Sequence, residues 1–133
     1  MATLADLTTY LGTQSLGASK LTYGVLEADP DVVVVLMQTP GQPSEPDLGT
    51  PNMRMAFPNV VAYTRGVIND YDGPQLMMQK VITAFTKVVN QTLSGTGYKA
   101  IEARSEPAFL RRDENFRVLF VCNFKVTKVY STT

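Results

Sequence analysis

Pro107-Ala-Phe-Leu-Arg-Arg-Asp-Glu-Asn-Phe-Arg-Val-Leu-Phe-Val-Cys-Asn-Phe-Lys-Val126 reads as a β-hairpin. Asp113-Glu114-Asn115 supplies the turn, because Asp and Asn bond their own backbone and tolerate turn conformations. After it, Phe116, Val118, Phe120, Cys122, Phe124 and Val126 fall on one face at the two-residue period of a strand, and Arg117, Asn123, Lys125 and Thr127 on the other. Leu119 and Val121 interrupt the polar face. A strand that is apolar in the middle of both faces has to be covered on both, so it is expected to be central in its sheet or to touch another subunit.

Outward from this hairpin, Leu4, Leu7 and Leu11 recur at helical spacing and Gly12 stops them, which predicts a short amphipathic helix over 2–11. Asp29-Pro30-Asp31 excludes helix before Val32-Val33-Val34-Val35-Leu36-Met37, a β-branched run expected as a strand buried on both faces. From Thr39 to Phe57 prolines and glycines are dense, predicting a loop over about 39–57. The next strand is expected from Pro58 to Val67. A helix follows from Gln75 to Leu93 on Met78, Val81, Ile82, Phe85, Val88 and Val89, with Asp72 as its cap and Ser94-Gly95-Thr96-Gly97 as its stop. At 1.5 Å per residue such a helix is about 28 Å long. Tyr98–Arg104 and Ala108–Arg112 complete the strands. The expected fold is therefore α+β, a single domain over 1–133. Its sheet is mixed and mainly antiparallel, with one long helix and a short N-terminal helix on one face.

The hairpin block, with Pro107, the Arg112-Asp-Glu-Asn-Phe-Arg117 turn and the Asn123-Phe-Lys-Val126 end, resembles small bacteriophage virion proteins of the tail terminator type, often labelled minor capsid proteins. Further pieces lie in order: Leu4 to Leu16-Gly17, Pro30-Asp31, Gln38-Thr-Pro-Gly41, Val60 to Arg65 and Gly97-Tyr98. The chain departs from that pattern at Pro40, where Gly is expected, and in the more apolar Met53 to Pro58. The resemblance implies a structural part of a long-tailed phage, not an enzyme. Such a part works as a ring, commonly a hexamer, that caps the finished tail tube, stops its growth and offers a surface to the head-tail connector and neck proteins. Genomic DNA would pass through the lumen without specific binding. It would be assembled in the host cytoplasm and carried in the virion neck.

The composition is compatible with that expectation. Twelve acidic and twelve basic side chains cancel, so no basic footprint for nucleic acid is present. There is no histidine, which removes the commonest general base and metal ligand and excludes Ser-His, Cys-His and His-zinc arrangements. No cofactor is implied. Cys122 is the only cysteine, expected as a small buried hydrophobe. No apolar run approaches the roughly 20 residues that span a bilayer, and no membrane partner is expected. The paired acids Asp29/Asp31, Asp70/Asp72 and Asp113/Glu114 all sit in turns, where backbone bonding outweighs catalysis or cation binding. Glu45, Asp47, Arg54, Arg65, Asp113 and Arg117 are the expected contact residues of the assembly. Two rivals stand beside it: a head-completion adaptor of the same neck, and a small ligand-binding domain or enzyme built on Asp70 and Asp72.

Overall fold

A computed structural model describes residues 3–28, 30–46 and 52–131. Its spine is the second strand of the quoted hairpin. Strand β7, Arg117–Ser131, pairs antiparallel along one side with β3, Met53–Ile68. Its other side is shared by two shorter strands, β6 (Ala108–Arg112) over the first half and β5 (Thr96–Ala103) over the second. Beyond β3 lies β2, Val33–Pro46, and beyond that β1, Lys20–Tyr23, which runs parallel to β2. Strand β4, Val89–Leu93, closes the opposite side against β5, giving seven strands in the order β1-β2-β3-β7-β5-β4 with β6 beside β7. The expected mixed, mainly antiparallel α+β architecture is what the chain adopts, and β7 is central as its two-sided apolar pattern required.

Helices α1 (Thr3–Gly12) and α2 (Asp72–Thr86) cover one face. The alternation fixes which side chains they meet: Val34, Leu36, Val60, Ala62, Val118, Phe120, Cys122, Phe124 and Val126 are buried against Leu7, Leu11, Met78, Val81 and Phe85. Phe85 is the junction of the three layers, stacked 6.4 Å from Tyr10 of α1 and edge-on, 5.0 Å, to Phe124 of β7. At Gly66 a Cβ would come within 2.8 Å of the Pro74 ring, so the small residue lets the first turn of α2 lie directly on β3, where the Thr64 hydroxyl donates to the Pro74 carbonyl at 2.8 Å.

Four expectations need correction. Helix α2 ends at Thr86, not Leu93, and 89–93 is edge strand β4. The apolar spacing continues through Val88, but consecutive β-branched residues favour a strand, and Asn90, Ser94 and Gly95 take positive φ. Ser94-Gly95 is thus a hairpin turn, and Val89 is exposed instead of helical core. Asp72 is not the cap: the helix starts without a side-chain cap, and Asp70 instead accepts from the Gly73 N–H at 3.0 Å.

The third concerns the 39–57 loop. Thr39–Pro46 and Met53–Phe57 extend the β2–β3 ladder, with Gln42 opposite Phe57, Glu45 opposite Met55 and two register shifts absorbing the irregular residues. Beyond Leu36, no described strand pairs with the outer side of β2, so its prolines interrupt no ladder there. Gly41 allows the close approach, since a Cβ there would lie 2.1 Å from the Phe57 carbonyl oxygen. Phe116 also leaves the predicted core face. It sits in the turn at φ 61° and is exposed.

Candidate assembly surface

Part of the sheet face away from the helices is covered by the chain itself. Because β1 and β2 are parallel, the chain must return from the end of one strand to the start of the other, and the described residues 24–28 and 30–32 belong to that return. They cross the sheet under two buried arginines. Arg65 Nε donates to the Asp31 carbonyl at 2.9 Å and its Nη2 to the Pro30 carbonyl at 2.7 Å. Arg117 Nη1 donates to the Ala28 carbonyl at 2.6 Å and to Asp31 Oδ1 at 2.8 Å, while its Nε holds Asp113 Oδ2 at 2.8 Å. Two planar guanidinium forks thus satisfy carbonyls that a β-ladder would otherwise have taken. Val33, Val35, Val61 and Leu119 are buried on this face.

Asp113 ties the same clamp to the hairpin turn, accepting from the N–H groups of Asn115 and Arg117 at 2.9 Å each. Burial alone would raise its pKa, but those two N–H groups and the guanidinium together hold it below the ordinary carboxylate value. A carboxylate lowered in the folded state contributes stability that is complete above its unfolded pKa and is lost as the pH falls through the folded value. Asp113→Asn is therefore expected to cost about 1.5–3 kcal/mol at neutral pH, as for hydrogen bonds to a charged group. Urea titrations at descending pH should find the two proteins converging in acid, the wild type losing the larger share.

A second buried polar cluster fastens α1 to the sheet. The Tyr98 hydroxyl donates to Asp6 Oδ2 at 2.8 Å, and burial, followed by this bond, pushes the phenol pKa well up. Beside it the Lys128 ammonium donates to the Thr3 hydroxyl. Burial lowers the Lys128 pKa, against the opposing pull of Asp6. Tyr98→Phe removes the donor to the buried Asp6 carboxylate and the phenol oxygen that also bonds the Thr3 side chain. It is expected to cost about 1–3 kcal/mol in a thermal or urea melt.

The six expected contact residues do not form one group. Glu45 is exposed on the β2–β3 arm, and Arg54, beside it on β3, donates to the Ser44 hydroxyl at 3.2 Å and carbonyl at 3.0 Å. Asp47 lies outside the described residues. Arg65, Asp113 and Arg117 come together, but as the internal clamp: Arg65 and Arg117 are only 2% and 4% exposed. The Asp70/Asp72 pair does not converge. Asp70 lines a cavity of about 200 Å³ to which Asp72 does not contribute, and its carboxylate is occupied by the Gly73 N–H. Among the described residues, no three His, Cys, Asp or Glu side chains are grouped to hold a metal.

What sequence reasoning missed is an apolar patch. Of the ten large apolar side chains exposed among the described residues, six gather at one end of the sheet: Val67, Ile68, Tyr71, Phe109, Leu110 and Phe116. The Asn69 N–H bonds the Phe116 carbonyl at 2.9 Å, and the Tyr71 and Phe109 rings are 5.8 Å apart, so these come from adjoining segments. Large contiguous apolar patches on a protein surface mark interaction sites. The available signal was the Phe-Leu pair in a short strand with polar flanks.

No family model matches the chain, and no curated protein matches it in sequence. Its fold does match a solved chain from the "Virion of native gene transfer agent (GTA) particle", with a TM-score of 0.58 over 93% of this chain and 84% of that one. The two are 13% identical, so the likeness is one of fold.

Proposed function

We propose that this chain is a structural virion protein of a tailed phage or phage-like particle, acting as a tail terminator. Copies join head to tail in a closed ring, six by the hairpin's resemblance to that family. The ring caps the completed tail tube, ends its elongation and presents the surface that head-tail connector and neck proteins join. DNA leaves through the lumen without a specific grip, in keeping with a balanced charge. The observation that carries this reading is the fold likeness, over nearly the whole chain, to a chain of a virion particle. The apolar patch at the end of a sheet supports it, since a subunit with one such face uncovered is suited to burial against a neighbour. Glu45 and Arg54 on the β2–β3 arm, together with Asp47, are the charged contacts toward tube or neck. Arg65, Asp113 and Arg117 act on the interface indirectly, Asp113 and Arg117 by fixing the hairpin turn beside the patch and Arg65 by holding the crossover segment against them.

Electron microscopy of particles from a host expressing the phage without this protein tests the role. A terminator's loss gives tails of uncontrolled, excessive length. Tails of normal length that fail to join heads would assign the chain to the head-completion adaptor instead.

A further inference from the structure

We infer that the joint between subunits is a β-sheet continued across the boundary, with β6 of one copy pairing antiparallel to β1 of the next. This rests on the head-to-tail assembly proposed above and specifies its surface. Among the described residues β6 pairs only with β7 and β1 only with β2, so each leaves one side of its backbone unpaired. Every residue of β6 is exposed, and Phe109 and Leu110 on it belong to the apolar patch. An unpaired apolar edge is a template for another strand. The edge also bears its own limits: Pro107 precedes it and a register shift falls between Phe109 and Arg111, which confines pairing to a few residues. That suits a four-residue partner such as β1.

Strand direction selects β1. Following the pairings across the sheet, β1, β2, β7 and β4 run one way and β3, β5 and β6 the other. Copies in a head-to-tail ring share one orientation, so a neighbour's β1 meets β6 antiparallel but would meet the other free edge, β4, parallel. Antiparallel pairs are the commoner and slightly more stable arrangement. Side-chain chemistry agrees in part: β4 exposes Val89 but otherwise presents Asn90, Gln91 and Thr92, whereas β1 ends in Tyr23, with Val25 just beyond Gly24, both exposed. Tyr23 is in register with Leu36 and Phe109 with Phe120, and both of those partners lie in the helix-side core. In a continued sheet Tyr23 and Phe109 therefore stand on the same face as a cross-strand aromatic pair. Pairing of β6 with its own copy about a two-fold axis would stop at a dimer and cannot make a ring.

Cysteine cross-linking tests the joint. Tyr23→Cys and Phe109→Cys alter exposed side chains, and circular dichroism checks that each variant folds. After mild oxidation or treatment with a short bis-maleimide, the double variant is expected to give a ladder of covalent oligomers ending at the ring number. A mixture of the two single variants should give dimers, and each single variant alone should stay uncross-linked. Self-linking of Phe109→Cys alone would overturn the inference in favour of a two-fold contact. A double variant that forms rings by native mass spectrometry yet yields no ladder would overturn it while leaving ring assembly intact. Wild-type protein that stays monomeric at all concentrations and on tube ends would instead refute the assembly reading beneath it.

Discussion

Arg117→Ala should destabilise the folded subunit by about 3–5 kcal/mol, the cost of removing one partner from a buried ion pair. For a domain of this size that lowers the melting temperature by roughly 10–20 °C. The expectation follows from what one guanidinium holds: the turn through Asp113, the crossover segment through the Ala28 carbonyl, and Asp31. Its side chain is 5% exposed and that of Asp113 11%, so removal strands a carboxylate largely out of water. The Asp31 side chain is 49% exposed, and its share of the loss is small. Arg117→Lys should recover only a fraction, because an ammonium cannot span Asp113, Asp31 and Ala28 in one plane. Urea unfolding at fixed protein concentration measures the loss; a value under about 1 kcal/mol would be that of an exposed pair and would mean the clamp does not hold the crossover.

Phe85→Ala is the other large change, expected to cost about 3–5 kcal/mol. Phe85 is fully buried and meets both Tyr10 and Phe124, so its loss opens a void where α1, α2 and β7 come together. Phe85→Leu should cost much less, because the aliphatic side chain fills most of the space. The contrast matters for the layer arrangement. Had the apolar face of 75–93 continued as one helix, Val89 would share the burden with Phe85; since Val89 lies on an exposed edge strand, Val89→Ala should leave stability within about 0.5 kcal/mol.

The sequence made legible whatever depended on local periodicity. Two-residue alternation from Val118 to Val126 identified the central strand and its helix-side face, and Val33–Leu36 was recognisable as doubly buried. Helix α1 was evident from three leucines and a glycine. What escaped depends on distant partners. Strand β1 is four residues with no pattern of its own, set by a parallel neighbour. The Pro- and Gly-bearing arm looked like loop because proline forbids a ladder only where its nitrogen must donate, and one open side removes that demand. Arg65 and Arg117 looked like exposed contacts because charge at alternating positions usually faces water. Their burial is set by backbone carbonyls 34 to 89 residues away, which no local spacing reveals. The apolar patch, likewise, gathers residues from β3, the α2 entry, β6 and the turn that are distant in sequence.

The claim on which the rest depends is that this subunit completes itself against copies of its own fold. Native mass spectrometry of the purified protein, across a concentration series and with tail tubes added, tests it most directly. One closed oligomer of six copies is expected, forming with rising concentration or on tube ends and disappearing in a Phe109→Asp variant that remains folded. A monomer at every concentration, unchanged by tubes, would contradict it.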